Sequence, residues 1–172
     1  MATVKTRRNF LLTAPIAAAA ASPLTDSLLR ASTTAQADTA AAPVPIQVFT
    51  ADEMAANLKE VQSNHSAKTL LTPKGTDVTM VINEESNKIA KEFEYHAKRD
   101  HVFQVLAGET KYELGGTPKS PRETKPGEFL APESVGHKTV NLKQGDYLFV
   151  PRMTPHRRIT DGSVSLLLIS AE

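Results

Sequence analysis

Three of the five histidines in the chain lie in two short stretches that predict β-strands. Glu94 and His96 are one residue apart and His101 follows them, whereas His156 follows the second stretch. Residues two apart in a strand share a face, and a hairpin would bring His101 beside the other two. A carboxylate and imidazoles in an apolar interior are costly unless they are paired or bind a metal. We therefore predict that these four residues converge on one metal ion.

The types of ligand that the chain offers limit which metals can bind but do not identify a single one. The chain has no cysteine, which excludes thiolate ligands and disulfides. Imidazole and carboxylate groups suit one divalent transition metal ion, and Fe, Mn, Zn, Ni, Co and Cu all fit. Two roles stay open for Glu94: a fourth metal ligand, or a catalytic base beside a metal held by three histidines.

Other side chains are candidates for a substrate pocket. Arg158 lies two residues after His156 and can share its inward face, where it would hold an anionic substrate; the alternative is an arginine in solvent at the end of the barrel. Tyr112, Phe103 and Phe149 are predicted to line the pocket, although the same spacing also fits a core. The sequence contains no phosphate-binding glycine loop and no nucleophile elbow.

The first elements of the domain are a strand and a helix. Residues 45–49 predict a short strand. Thr50 and Glu53 then have the spacing of a capping box, in which each side chain accepts from the other residue's backbone amide. Apolar residues at helical spacing predict an amphipathic helix from Ala51 to about Gln62.

From Ala67 onward the pattern predicts only strands and turns. Nine short strand candidates are separated by turns rich in glycine, asparagine and proline, which favours a barrel or a sandwich. The longest interruption is predicted to be an irregular loop from Gly115 to Gly136, because it carries four prolines. An apolar patch within it, residues 127–132, either folds over the barrel mouth or extends into solvent.

The first stretch resembles the first motif of the cupin superfamily. The matching pattern is Glu94-x-His96-x4-His101-x6-Gly108. The family has two histidines one residue apart, then a glutamate, then a glycine. Glu94 stands here in place of the first histidine and His101 in place of the glutamate, so the set remains three histidines and one carboxylate.

The second stretch resembles the second cupin motif. Gly145, Pro151 and His156 match it, whereas Met153 stands where a glycine is common and Thr160 where an asparagine is common. The resemblance covers roughly residues 75–170. It implies an all-β fold: a single cupin barrel of the jelly-roll type, with one short N-terminal helix, over residues 45–172.

The resemblance also implies a function. Cupins with such sites include dioxygenases, isomerases, lyases and decarboxylases that act on small organic molecules. An oxygenase is favoured, because three histidines leave positions for both O2 and a bidentate substrate. The alternative is a non-catalytic cupin that holds a metal or a small ligand in the cell envelope. Cupins commonly pair through sheet edges, so a homodimer is expected.

The N-terminus has the layout of a bacterial export signal. A basic start precedes an alanine-rich apolar run, and Arg7-Arg8 with the apolar residues that follow resembles the twin-arginine signal. The usual polar or basic residue late in that pattern is Leu12 here. Cleavage is predicted after Ala37, leaving a flexible linker over residues 38–44. The alternative is an amphipathic surface helix with a flexible tail. The export reading implies the twin-arginine machinery as a partner and the bacterial periplasm as the location.

Charge and hydropathy limit the other partners. The whole chain has a net charge of +1, and removal of residues 1–37 leaves 16 basic and 18 acidic residues, a net charge of −2. A chain without a basic excess is not expected to bind nucleic acid. No stretch approaches the roughly 20 apolar residues of a membrane span.

Overall fold

A computed structural model describes residues 44–172. The predicted export signal and almost all of the predicted linker lie outside these residues. The described chain contains one helix and eleven strands. Their bounds are α1 Ala51–Asn64, β1 Ala67–Leu71, β2 Val78–Ile89, β3 Phe93–His96, β4 Asp100–Leu114, β5 Thr117–Lys119, β6 Arg122–Lys125, β7 Glu128–Ala131, β8 Glu133–Val135, β9 Lys138–Lys143, β10 Tyr147–Val150 and β11 His156–Ala171.

The predicted helix is confirmed, including its capping box. The Thr50 side chain accepts from the Glu53 amide, and the Glu53 carboxylate accepts from the Thr50 amide. The helix ends two residues later than predicted, at a left-handed His65. The strand predicted at residues 45–49 is wrong: within the described residues no strand pairs with this segment, so its strand-like sequence forms no ladder.

Three long antiparallel strands form the frame of the molecule. β11 lies between β2 and β4 along most of its length. The other edge of β4 pairs with β10 near its start and with β9 near its end. Register shifts interrupt β11 between residues 159 and 166, and such bulges bend strands and let a sheet curl into a barrel.

Gly108 lies at the bend of β4, opposite the bulge in β11. Its φ of +75° is a left-handed conformation, which glycine adopts without strain. A Cβ atom here would lie 2.1 Å from the carbonyl oxygen of Ser163. Gly108, the last residue of the first cupin-like motif, therefore permits β4 and β11 to approach closely where both strands bend.

Alternating side chains of these strands fill the interior. Phe103, Tyr112 and Val150 form one buried cluster, and Val105 packs in a second cluster with two residues of β11. The structure thus confirms the predicted fold class: an all-β, cupin-type barrel of the jelly-roll kind with a single helix before it.

The segment from Gly115 to Gly136 differs from the prediction. It is not an irregular loop but contains four short strands, β5 to β8, and the positive-φ Gly127 lies in the turn between β6 and β7. β7 pairs with β3, with Glu128 directly opposite His96, and β6 pairs with β7. The free edge of β3 provides hydrogen-bond partners for β7, and the local sequence pattern of this segment does not indicate that pairing.

A candidate metal centre of three histidines

Three buried histidines meet inside the barrel. One ring nitrogen from each of His96, His101 and His156 lies within 4.8 Å of the other two. The ring centroids are 4.7 Å apart for His96 and His101, and 5.5 Å apart for His101 and His156. The structure therefore brings together the three histidines that the sequence singles out.

The route by which they meet differs from the predicted hairpin. β3 and β4, which carry His96 and His101, do not pair with each other. His156 opens β11 and lies opposite both Glu94 of β3 and Leu114 of β4. The carbonyl oxygen of His96 also accepts from the amide of Met153, which holds the turn before β11 against the end of β3. β11 thus joins the two parts of the cluster.

Hydrogen bonds fix two of the rings and leave their inner nitrogens free. The Nδ1–H group of His156 donates to the carbonyl oxygen of Thr154 at 2.9 Å, and that of His96 donates to Oε2 of Glu128 at 2.6 Å. Within residues 44–172, the Nε2 atoms of both rings and both nitrogens of His101 are buried without a hydrogen-bond partner. Buried polar atoms are rarely left unpaired, and metal-binding histidines usually donate their other N–H in this way. The residues present therefore fit a metal ion.

Burial favours the neutral, metal-binding form of two of the rings, His101 and His156. Burial, together with the neighbouring His156 and His96, lowers the pKa of His101 to about 3. Burial also lowers the pKa of His156, against an opposing effect of its bond to Thr154. Neutral imidazoles have a free lone pair on one nitrogen, which is the group that a metal requires.

Glu94 lies beside the cluster rather than within it. Its Oε1 atom is 3.5 Å from Nε2 of His156, and its side chain is 53% exposed. It shares the face of His96, as the strand alternation predicts, but occupies the outer end of that face. Its position at the mouth of the site fits either of its two predicted roles.

A cavity of about 340 Å³ opens next to His156. Glu94, Phe103, Tyr112 and Arg158 are among the residues that line it. A larger cleft of about 500 Å³ lies at the bend around Gly108, and no histidine lines it. The smaller cavity is therefore the one in which a ligand can reach the cluster.

Phe149 lies elsewhere than predicted. It is 62% exposed on the outer side of β10, and Tyr147 beside it is equally exposed. The alternation of β10 turns Val150 and Leu148 inward instead. The other predicted pocket residues, Phe103, Tyr112 and Arg158, do line the cavity.

Arg158 is held by neighbours on the cavity wall. Its Nε and Nη2 atoms donate to the two carboxylate oxygens of Glu85 at 2.5 Å and 2.6 Å, and Nη1 donates to the Tyr112 hydroxyl at 2.9 Å. The side chain is mostly buried, so it is not an arginine in solvent at the end of the barrel.

Sequence reasoning missed Glu128 and Glu85. Each belongs to a strand whose pairing partner is far away in the chain, and neither lies in a motif. Glu128 also pairs with Arg99. No local signal marks Glu85, because it lies within the polar run of residues 83–87.

The described residues contain no helix with the length and apolar character required to span a bilayer. The fold and the site together define a cupin-type barrel with a three-histidine cluster as its candidate metal centre. No family model matches the chain, and no curated protein matches it.

Several solved structures are similar to this chain. BH2720 from Bacillus halodurans has a TM-score of 0.49 and 16% identity, over 75% of this chain and 82% of that one. A cupin 2 conserved barrel domain protein from Rhodopseudomonas palustris has a TM-score of 0.44 and 16% identity, over 61% and 59%. The DMSP lyase DddQ from Ruegeria pomeroyi DSS-3 has a TM-score of 0.44 and 18% identity, over 62% and 46%, so this chain spans less than half of that lyase. These values are too low to carry a ligand or an activity to this chain.

Proposed function

We propose that the protein is a metal-dependent enzyme acting on a small organic molecule. His96, His101 and His156 hold one divalent transition metal ion, and Glu94 is either a fourth ligand or a base beside it. The observation that carries this proposal is the set of four buried ring nitrogens without a hydrogen-bond partner in the described chain. A bound ion of this kind acts as a Lewis acid and keeps coordination positions open.

The cavity supports an enzyme over a protein that only stores metal. It gives a small molecule access to the face of the cluster on which His156 and Glu94 lie. Among cupin reactions we favour a dioxygenase over an isomerase or lyase, because a three-histidine site leaves positions for O2 and for a bidentate substrate. The alternative remains a non-catalytic cupin that binds a metal or a small ligand in the cell envelope.

The same proposal includes a location in the bacterial periplasm. The support is the Arg7-Arg8 pair before an apolar run, with the small residues up to Ala37. Export by the twin-arginine machinery in a folded state would let the site load its metal before export. Replacement of Arg7 and Arg8 by lysine should keep the protein in the cytoplasm; a mutant protein that still reaches the periplasm would contradict this.

We also propose a homodimer that forms through a sheet edge. β10 pairs only with β4 among the described strands, and it exposes Tyr147 and Phe149 beside this open edge. Phe149→Glu should shift the sedimentation of the protein toward that of a single chain. A wild type that already sediments as a single chain would refute the dimer.

The metal proposal is tested by loading the purified protein with each candidate ion and measuring bound metal by elemental analysis. We expect one ion per chain in the wild type and a loss of most of it in His101→Ala. His65→Ala is the matched control, because that ring is largely exposed and contacts Glu84 instead. A wild type that binds none of these ions would overturn the proposal.

A further inference from the structure

Tyr112 presents a hydrogen-bond donor to the cavity. The residue is 1% exposed, and its hydroxyl oxygen accepts from Nη1 of Arg158. Burial raises the pKa of Tyr112 to about 12, so the hydroxyl keeps its proton at neutral pH. Among the hydrogen bonds of residues 44–172, this hydroxyl takes part only as an acceptor. A buried donor without an acceptor, on a cavity wall, calls for a ligand oxygen.

The same wall carries an excess of positive charge. Glu85 accepts both hydrogen bonds of the Arg158 fork, and Nζ of Lys88 lies 3.2 Å from the same carboxylate. The single negative charge of Glu85 is therefore shared between two cations, Arg158 and Lys88. Two further charged residues of the wall, Arg157 and Glu92, are matched by partners of opposite sign.

With the negative charge of Glu94 at the mouth included, the wall still has a net charge of +1, because four cationic residues and three carboxylates line the cavity: Lys88, Lys91, Arg157 and Arg158 against Glu85, Glu92 and Glu94. The only ion-pair contact recorded for Glu94 in the described chain is with His156, on the side of the histidine cluster. No carboxylate of the described residues lies within ion-pair distance of Lys91, which also lines the cavity. The wall formed by Tyr112, Arg158 and Lys88 thus favours an anion, and a neutral carbonyl group would leave its charge unbalanced.

We infer that the cavity receives the carboxylate of a small organic acid, with one oxygen accepting from the Tyr112 hydroxyl and the charge matched by Arg158 and Lys88. This inference rests on the proposed function, because the rest of the acid reaches the metal beside His156. A volume of about 340 Å³ suits a small ligand. Glu85 positions the guanidinium, which in turn orients the tyrosine oxygen.

The test compares malonate with malonamide, its neutral analogue of the same shape. Binding of each probe is measured by calorimetry, with the protein both metal-free and loaded with manganese. We expect malonate to bind at least about tenfold more tightly than malonamide. Tyr112→Phe should weaken malonate binding about tenfold or more, because one hydrogen bond to a charged group is lost.

The control is Tyr95→Phe. Tyr95 is also buried, but its ring stacks on Phe129 and it does not line the cavity. This variant should bind malonate as the wild type does. Tyr112→Phe should keep the metal affinity of the wild type, which separates loss of the anion contact from damage to the fold.

The outcomes separate this inference from the proposed function. Absence of malonate binding, equal affinity for the two probes, or an unchanged affinity in Tyr112→Phe would overturn the inference, even in a protein that loads metal normally. A wild type that loads no metal but still prefers malonate in a Tyr112-dependent way would refute the metal proposal and support the carboxylate site.

Discussion

The Nδ1 atom of His96 lies 2.6 Å from Oε2 of Glu128, the residue directly opposite it in the β3–β7 pair. A carboxylate accepts this bond, so Nδ1 carries a proton, and Nε2 is the ring nitrogen left to bind a metal. The other oxygen of Glu128 pairs with Arg99, which holds the carboxylate in place and lowers its pKa together with His96. Glu128 therefore orients the candidate metal ligand His96 but is not itself one of the residues that would bind the metal.

Glu128→Gln should weaken metal binding by about 10- to 100-fold, the usual effect of losing such an outer partner. The neutral amide neither fixes the tautomer of His96 nor raises its basicity to the same extent. Competition with a chromophoric chelator measures the affinity. Glu133→Gln is the control, because that residue is exposed on the separate β5–β8 ribbon. Equal affinities in all three proteins would show that the His96 contact has no influence on the metal.

The metal-free protein should lose stability as the pH falls from about 6.5 toward 3. The folded pKa of His101 is about 3, below that of an exposed histidine, so the unfolded chain binds the additional proton. The contribution of this group is complete above the unfolded pKa and disappears as the pH falls through the window between the two values. His156 shifts in the same direction.

Urea unfolding between pH 4.5 and 7.5 checks this, because carboxylates titrate mostly below that range. His101→Gln should reduce the slope, since glutamine does not titrate. A wild-type midpoint that does not vary over this range would contradict a buried neutral His101.

Gly108→Ala should destabilise the protein by at least about 2 kcal/mol. The new Cβ would lie 2.1 Å from the Ser163 carbonyl oxygen, and the φ of +75° adds strain. Gly145→Ala is a matched control: its φ is +93°, but no atom lies within 4 Å of the new Cβ, so only a strain of about 1 kcal/mol remains. Equal losses of unfolding free energy would show that β4 and β11 can move apart at the bend.

The sequence predicts the site residues whose inward direction follows from the alternation of side chains along a strand. His96 ends a strand, His156 begins one and His101 is the second residue of another, and the spacing within each pattern indicates that these side chains face inward. The same rule fails for Phe149: it predicts the alternation of β10 but not which face is the interior. A shift of one residue in the register of a strand moves every side chain to the opposite face, and the pairing of that strand in the folded protein decides which face is inside.

The missed residues depend on pairing between distant segments. Glu128 reaches His96 only because β7 pairs with β3, and Glu85 reaches Arg158 across 73 positions of the chain. The prolines of the 115–136 segment indicated a loop, whereas the open edge of β3 turns part of it into strands. Local propensity contains no information about such an edge.

The two roles of Glu94 can be separated by Glu94→Gln. The carboxylate is largely exposed and contacts only the His156 side of the cluster, so we expect the metal affinity to fall by less than tenfold, far less than in His101→Ala. Three buried imidazoles would then supply most of the binding, and Glu94 would be free to move a proton at the cavity mouth. Retained metal with loss of turnover on an identified substrate would assign it as the base, and retained metal with only a change in ligand affinity would favour the non-catalytic protein. A loss of metal as complete as in His101→Ala would instead make Glu94 a ligand equal to the histidines.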